Sequence, residues 1–312
     1  MRGVEVAGLA DPSPENVARV RERVGALARV PAFDSSAGLY DSLDLDAVVV
    51  TTPHTLHHAL VMEAIERGLH VLCEKPLACT PPHAQEIEAA AAAAGVTVTI
   101  GYQRRFDPGY VYMHDVIERG ELGELLAVSV TCGQRWEPRT RSGWRQVPEL
   151  SGGGMLMDTG SHIIDVLLWL VDRQVTTVSA LVDNRGTRVD IDTVATLGFE
   201  GGIQGQLMIL GDMPFTWMES IIVTGTDGAL RYENEPQHPW RPGHVSHYRD
   251  GAETRPLDLR GWGPDVTSAW VATIRGERDN PVPPAAGVRV AELTWMILEA
   301  GRTSRSHSLL PD

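Results

Sequence analysis

The sequence predicts a parallel α/β unit followed by an α+β unit with a mainly antiparallel open sheet. Three observations predict this plan. The first hundred residues alternate short apolar runs with helical segments over short connections. That alternation describes a parallel sheet with helices on both faces. Within it, Val48, Val49 and Val50 are continuously apolar, as a strand covered on both faces requires. From Gly101 onward, apolar runs are separated by Gly and Asp turns, an antiparallel signature. The division falls between residues 1–103 and 104–312.

The elements follow in order. Residues 4–10 read as a strand ending at Asp11. Ser13 and Pro14 open a helix as cap and first-turn residue. Residues 29–33 suggest a short strand, and Ser35-Ser36 a brief helix. Residues 45–52 form the strongest strand, broken by Pro53. A helix runs to Arg67 and ends at Gly68. Residues 70–74 are a strand that stops at Pro76, which cannot donate to a ladder. A helix from Pro81 to Gly95 and a strand over 96–100 complete the first unit. In the second, a helix spans 109–119 and a strand 125–132. A helix follows Gly152-Gly153-Gly154, and strands cover 175–182, 193–199, 202–210, 219–224 and 229–232. Residues 234–260 are polar and proline-rich, without an assigned element. Helices at about 265–275 and 288–301 close the chain.

Composition bounds the function. The chain has 312 residues and a formal net charge of −14, which argues against nucleic acid or an anionic membrane held by charge. Its three cysteines, Cys73, Cys79 and Cys132, cannot all pair and have no zinc spacing. A reducing cytoplasm is the simplest location. No apolar run is read as long enough to cross a membrane, and the N-terminal residues lack a signal-peptide core.

Three constellations carry chemistry. Asp11 ends a strand, where an acidic residue can hold the ribose of a dinucleotide; an aspartate in a strand-to-helix turn reads equally as a turn former. Glu74 and Lys75 sit at the carboxyl end of a strand, the ligand-binding edge of open α/β sheets. Asp158 and His162 lie four residues apart on a helix, hence on one face, with Asp165 one turn on. A carboxylate beside an imidazole can raise its pKa toward that of a neutral-pH base. The triple glycine upstream lets backbone approach a ligand or another chain closely. His54, His57 and His58 nearly share a helix face, but no Cys or acidic cluster stands at ligand spacing, so no metal is assigned.

Together, Asp11, Thr52-Pro53-His54-Thr55-Leu56-His57, Glu74-Lys75-Pro76, the 101–108 segment and Gly152-Gly153-Gly154…Asp158…His162…Asp165 resemble the Gfo/Idh/MocA family. The resemblance runs from about Val4 to the last helix. It implies a Rossmann-like first unit and an NAD-dependent oxidoreductase, with NADP disfavoured by charge repulsion at Asp11. Asp11 would hold the adenosine ribose. Thr52, Pro53, His54 and His57 would line the cofactor cleft, and Glu74 and Lys75 the nicotinamide ribose. Lys75 would orient the reacting oxygen, His162 would act as acid/base, and Asp158 would orient it or bind a hydroxyl. Arg105, Trp144 and Arg145 would contact a polyhydroxylated substrate: a sugar, polyol or cyclitol. A homodimer or homotetramer would form through the second sheet.

One departure stands out. The family's first strand and its Gly-x-Gly-x-x-Gly turn are not in this sequence. The first strand is central in the 3-2-1-4-5-6 order, so the strand at Val4 must pair with the one at Leu45 or leave groups unpaired. A start placed too late, by about thirty residues on the size of a βαβ unit, is the favoured expectation; a fragment of a longer chain and a true lack of the unit are the alternatives to it. A redox-neutral NAD-using glycosidase or lyase, a non-catalytic relative, and a zinc hydrolase built on His54, His57 and Asp158 are the alternatives.

Overall fold

The structure is a computed structural model that describes residues 3–238, 241, 243–255, 259 and 265–303. The first unit runs β1 (Leu9–Ala10), α1 (Pro14–Arg23), β2 (Ala32–Phe33), α2 (Ser36–Ser42), β3 (Ala47–Val50), α3 (His57–Glu66), β4 (His70–Cys73), α4 (Pro81–Ala94) and β5 (Val98–Ile100). Ser13 caps α1 by accepting from the Asn16 amide, as its sequence position predicts. Thr80 precedes α4 without such a side-chain bond.

All pairings in this unit are parallel, but they form two sheets rather than one. β3, β4 and β5 pair side by side, and β1 pairs with β2 alone. Of the two outcomes expected for the Val4 strand, pairing with the Leu45 strand is not made; its end, Leu9–Ala10, pairs instead with β2. Residues 4–8 lie outside any strand, with Val4 and Val6 exposed. Val49, in the middle of β3, is also exposed, so the strand expected to be covered on both faces is covered on one.

The second unit begins with α5 (Pro108–Glu118) and β6 (Leu125–Gly133), then short helices α6 (Trp136–Thr140) and α7 (Pro148–Ser151), and α8 (Ser161–Val171). β7 (Val175–Asp183), β8 (Asp192–Phe199), β9 (Gln204–Leu210), β10 (Met218–Gly225), β11 (Ala229–Glu233), β12 (His244–Arg249) and β13 (Ala252–Thr254) complete one eight-stranded sheet. Its order is β13-β12-β11-β10-β6-β9-β8-β7, and every pair is antiparallel except β6 with β9. β12 and β13 fall in the stretch left without an element, because His244, Ser246 and His247 disguise the strand as polar. Residues 239, 240, 242, 256–258 and 260 of that stretch lie outside the described residues. α9 (Val266–Ile274) and α10 (Pro284–Thr303) follow, and α10 packs on α4, α8 and β7.

α8 is buried on nearly every side and forms the centre of the core. The stretch Pro148–Val171, which joins α7, the 152–160 turn and α8, passes by length and apolarity alone as a membrane span. Its most apolar 18-residue window is 94% buried within the fold, which makes it a core segment, as expected of a chain without a membrane-spanning run. Arg105, in the turn between β5 and α5, ties that turn to α8. Its guanidinium grips Asp165 through Nε at 2.8 Å and Nη2 at 2.7 Å, the bidentate geometry that suits Arg and carboxylate.

Candidate active site

Two parallel strands deliver the first half of the site. Val50 at the end of β3 pairs with Cys73 at the end of β4, and the Glu74 amide donates to the Val50 carbonyl at 2.9 Å. Their exits therefore lie together. Beyond β3, Pro53 leads into a tight turn, His54–Leu56, that feeds α3. Beyond β4 come Glu74, which is exposed, and Lys75, joined to Pro76 by a cis peptide.

The second half arrives on residues 152–162. Gly152 closes α7 at φ +72°, a conformation glycine adopts without strain. The buried carboxylate of Asp190 accepts from the Gly154 amide at 2.6 Å and the Leu156 amide at 2.7 Å. A Cβ on Gly154 would collide with the Asp190 backbone. The close approach that the triple glycine permits is thus to this chain's own Asp190 and, at Gly152, Cys79. Leu156–Gly160 then forms a π-helical turn before α8. Such turns occur often at functional sites.

The π-turn presents Asp158 to Lys75. The Lys75 ammonium donates to Asp158 Oδ1 at 2.5 Å and to the Asp158 carbonyl at 2.9 Å. Asp158 Oδ2 accepts from Trp136 Nε1 at 2.7 Å and Arg145 Nε at 2.9 Å. His54 Nε2 lies 3.6 Å from Oδ1, while its Nδ1 is 3.0 Å from the Ser151 carbonyl. Burial alone would raise the Asp158 pKa. The His54 imidazole and the charges of Lys75 and Arg145 outweigh it and hold the carboxyl well below the usual range. Asp158 is therefore an anion ringed by donors.

None of those hydrogen bonds goes to His162. The expected orienting contact from Asp158 is not made, and although the Asp158 charge does raise the His162 pKa as expected, larger effects reverse the net shift. The widened π-turn changes the register between the two residues, so the α-helical four-residue rule does not bring them into contact. Burial first, then the charges of Lys75 and Arg104, push the His162 pKa well below its ordinary value. Asp158 opposes that shift without reversing it. His162 is neutral at neutral pH, with Nδ1 buried and unpartnered and Tyr102 edge-on at 6.0 Å.

The remaining candidates divide. His57 is fully buried, with Nδ1 2.7 Å from the Pro76 carbonyl and Nε2 2.9 Å from the Thr52 carbonyl. It stitches the β3 exit to the β4 exit, and burial lowers its pKa. Asp11 stands just past β1, where its carboxylate accepts from the Ser13 amide at 2.8 Å and from Asn16. Thr52 Oγ1 is buried without a partner at the β3 exit, and Pro53 adjoins it. Trp144 packs edge-on to His54 at 4.7 Å and lies under the Arg145 guanidinium at 4.5 Å. Arg105 is not brought to the site, because Asp165 and the Pro281 carbonyl take its donors.

Two site partners were not singled out from sequence. Trp136 lay within a Trp-rich loop that gave no reason to choose it. Arg104 acts on His162 from the far side. It is paired with Glu219 at 2.9 Å and stacked over Trp217 at 4.8 Å. Only the Arg-Arg pair at 104–105 hinted at it. Of the cysteines, Cys73 and Cys132 are buried, and burial pushes Cys79 up to about 12, so none has the character of a reactive thiol.

Strand exits carrying Thr52, His54 and Lys75 face the π-turn that carries Asp158 and the helix α8 that carries His162, and this arrangement is the candidate site of an oxidoreductase fold. The chain belongs to the Gfo/Idh/MocA family. The profile described as "Oxidoreductase family, NAD-binding Rossmann fold" matches residues 1–102, and that of the "GFO/IDH/MocA C-terminal domain" matches residues 110–231. Inositol 2-dehydrogenase 3 of Saccharopolyspora erythraea is 33% identical over 91% of this chain and 80% of its own length. The uncharacterized oxidoreductase YrbE of Bacillus subtilis (strain 168) is 30% identical over 61% of this chain and 56% of its own. Among solved structures, the WlbA dehydrogenase from Bordetella pertussis, in complex with NADH and UDP-GlcNAcA, superposes with a TM-score of 0.83 at 23% identity, covering 96% of this chain and 89% of that one.

Proposed function

We propose that this chain uses NAD to transfer a hydride to or from a secondary hydroxyl carbon of a small polyhydroxylated compound: a sugar, polyol or cyclitol. Residues 1–103 serve the cofactor and 104–312 the substrate. The observation that carries this reading is the Lys75 ammonium, 2.5 Å from an Asp158 carboxylate fixed by Trp136 and Arg145.

The residues at the strand exits fit a dinucleotide. Thr52 Oγ1, buried and unpartnered, offers a hydroxyl where a ligand oxygen would satisfy it. Asp11 would hold the adenosine ribose and repel a 2′-phosphate. Pro53, His54, His57 and Glu74 would shape the nicotinamide end. When bound, the nicotinamide supplies the hydride acceptor. Lys75 holds the substrate oxygen and stabilises the alkoxide character that develops there. Neutral His162 receives the hydroxyl proton. Asp158 positions Lys75 and accepts a neighbouring substrate hydroxyl. Trp144 and Arg145 form the outer wall. Relatives named for inositol and sugar-nucleotide chemistry support this substrate class.

Oligomerisation through the open sheet face belongs to the same proposal. Leu181 is 64% exposed, and Val194 and Ile222 are exposed on that face. The test is a panel of sugars, anhydrosugars and cyclitols incubated with NAD and the purified chain. Net NADH accumulation with a polyhydroxylated compound is expected. Substrate consumption without net NADH would replace this reading with the redox-neutral one, and no turnover of any member would refute the substrate class.

A further inference from the structure

The three neighbouring histidines at 54, 57 and 58 separate in the fold. His54 and His57 turn inward to backbone carbonyls, whereas His58 points toward α4. There it meets two residues that sequence spacing did not bring near it. The His83 ring stacks on the His58 ring at 4.1 Å, with 12° between planes. Glu86 Oε2 lies 2.8 Å from His58 Nε2. One ligand atom from each of the three lies within 4.8 Å of the others.

We infer that His58, His83 and Glu86 form a divalent transition-metal site, best suited to zinc, that clamps α3 to α4. Two imidazoles and one carboxylate are a donor set that zinc favours, at bond lengths of about 2.0–2.2 Å. Magnesium and calcium favour all-oxygen cages. His58 Nε2 is sealed from solvent and, among the described residues, faces the Glu86 carboxylate alone at 2.8 Å. His83 and Glu86 sit on one face of α4 at i and i+3. Both are exposed, so their side chains can close by rotation alone.

The placement gives such an ion a consequence. α3 begins at His57, just beyond His54, and α4 begins a few residues beyond Lys75. An ion joining the first turns of these helices fixes the spacing of the two strand exits. It is a brace outside the site, and it does not depend on the proposed function.

The test uses the full chain, stripped with EDTA and titrated with zinc chloride by calorimetry. One zinc per chain is expected, with His83→Ala and Glu86→Gln each weakening binding by at least about tenfold. Zinc at about a hundredfold excess over the wild-type Kd should raise Tm by roughly 4 °C, with about half that shift or less in either variant and none with magnesium. Cobalt should give visible absorption bands in the wild type alone. Both substitutions are at exposed positions, so loss of folding does not confound them. Wild-type affinity in both variants, or no saturable zinc binding by the wild type, would overturn the inference. Either result would leave NADH binding and turnover as separate questions.

Discussion

Replacing Lys75 with alanine removes the two hydrogen bonds that reach Asp158, at 2.5 and 2.9 Å. Removing one partner of a buried ion pair ordinarily costs about 3–5 kcal/mol of stability. Here the cost should be smaller, about 1–3 kcal/mol, because Trp136, Arg145 and His54 still face the carboxylate. The catalytic loss should be the larger effect. A group aimed at a developing oxyanion contributes about 2.7–4 kcal/mol, a factor of roughly 10²–10³ in kcat. Steady-state NADH production should therefore fall by at least that factor, while NADH affinity, read by fluorescence, stays within severalfold. Lys75→Arg should not restore turnover, because a planar fork cannot occupy the place of a compact ammonium. Near-normal turnover by a folded Lys75→Ala protein would refute the role assigned to this residue.

Four further outcomes follow from the same geometry. His162 is held neutral, so the unfolded chain binds more protons than the folded one below the ordinary histidine pKa of about 6.5. Stability should fall as pH drops below that value, and His162→Asn should flatten this part of the Tm-against-pH curve; an unchanged slope would contradict the buried neutral ring. Gly154→Ala forces a Cβ into the Asp190 backbone and should cost at least about 2 kcal/mol by denaturant titration, where a loss below half that would argue against the tight fit. Arg105→Ala leaves Asp165 buried and uncompensated, a loss of about 3–5 kcal/mol; Asp165→Asn added to it should recover part of that, and additive losses would count against the pairing. Arg145→Ala removes an outer-wall donor that is 41% exposed, so it should raise KM more than it lowers kcat in a substrate titration.

Much of the fold was legible because its signals are local. The all-apolar strand at residues 47–50, the Ser13-Pro14 start and the glycine stops specify their elements without help from distant residues. β12 was not legible because Ser246 and His247, on opposite faces of the strand, are buried polar residues whose burial depends on β11 and β13. The β1–β2 ribbon, separate from β3, was not legible because pairing partners are chosen in three dimensions. At the candidate site, Lys75, Asp158 and His162 could be named from sequence, but their relations could not. The π-turn at Leu156–Gly160 breaks the four-residue rule, and the donors to Asp158 come from residues 54, 75, 136 and 145. Arg105 looked like a ligand contact because a paired arginine and a free one read alike in sequence. The same limit hid His83 and Glu86 from His58.

The central claim is that the strand exits bearing Asp11, Thr52 and Lys75 hold a nicotinamide dinucleotide. The most direct measurement is titration of NADH into the purified chain, reading energy transfer from its eight tryptophans to the nicotinamide. The account predicts saturable binding in the micromolar range, weakened by Asp11→Arg and competed by NAD. A chain folded by circular dichroism that shows no saturable transfer would contradict it.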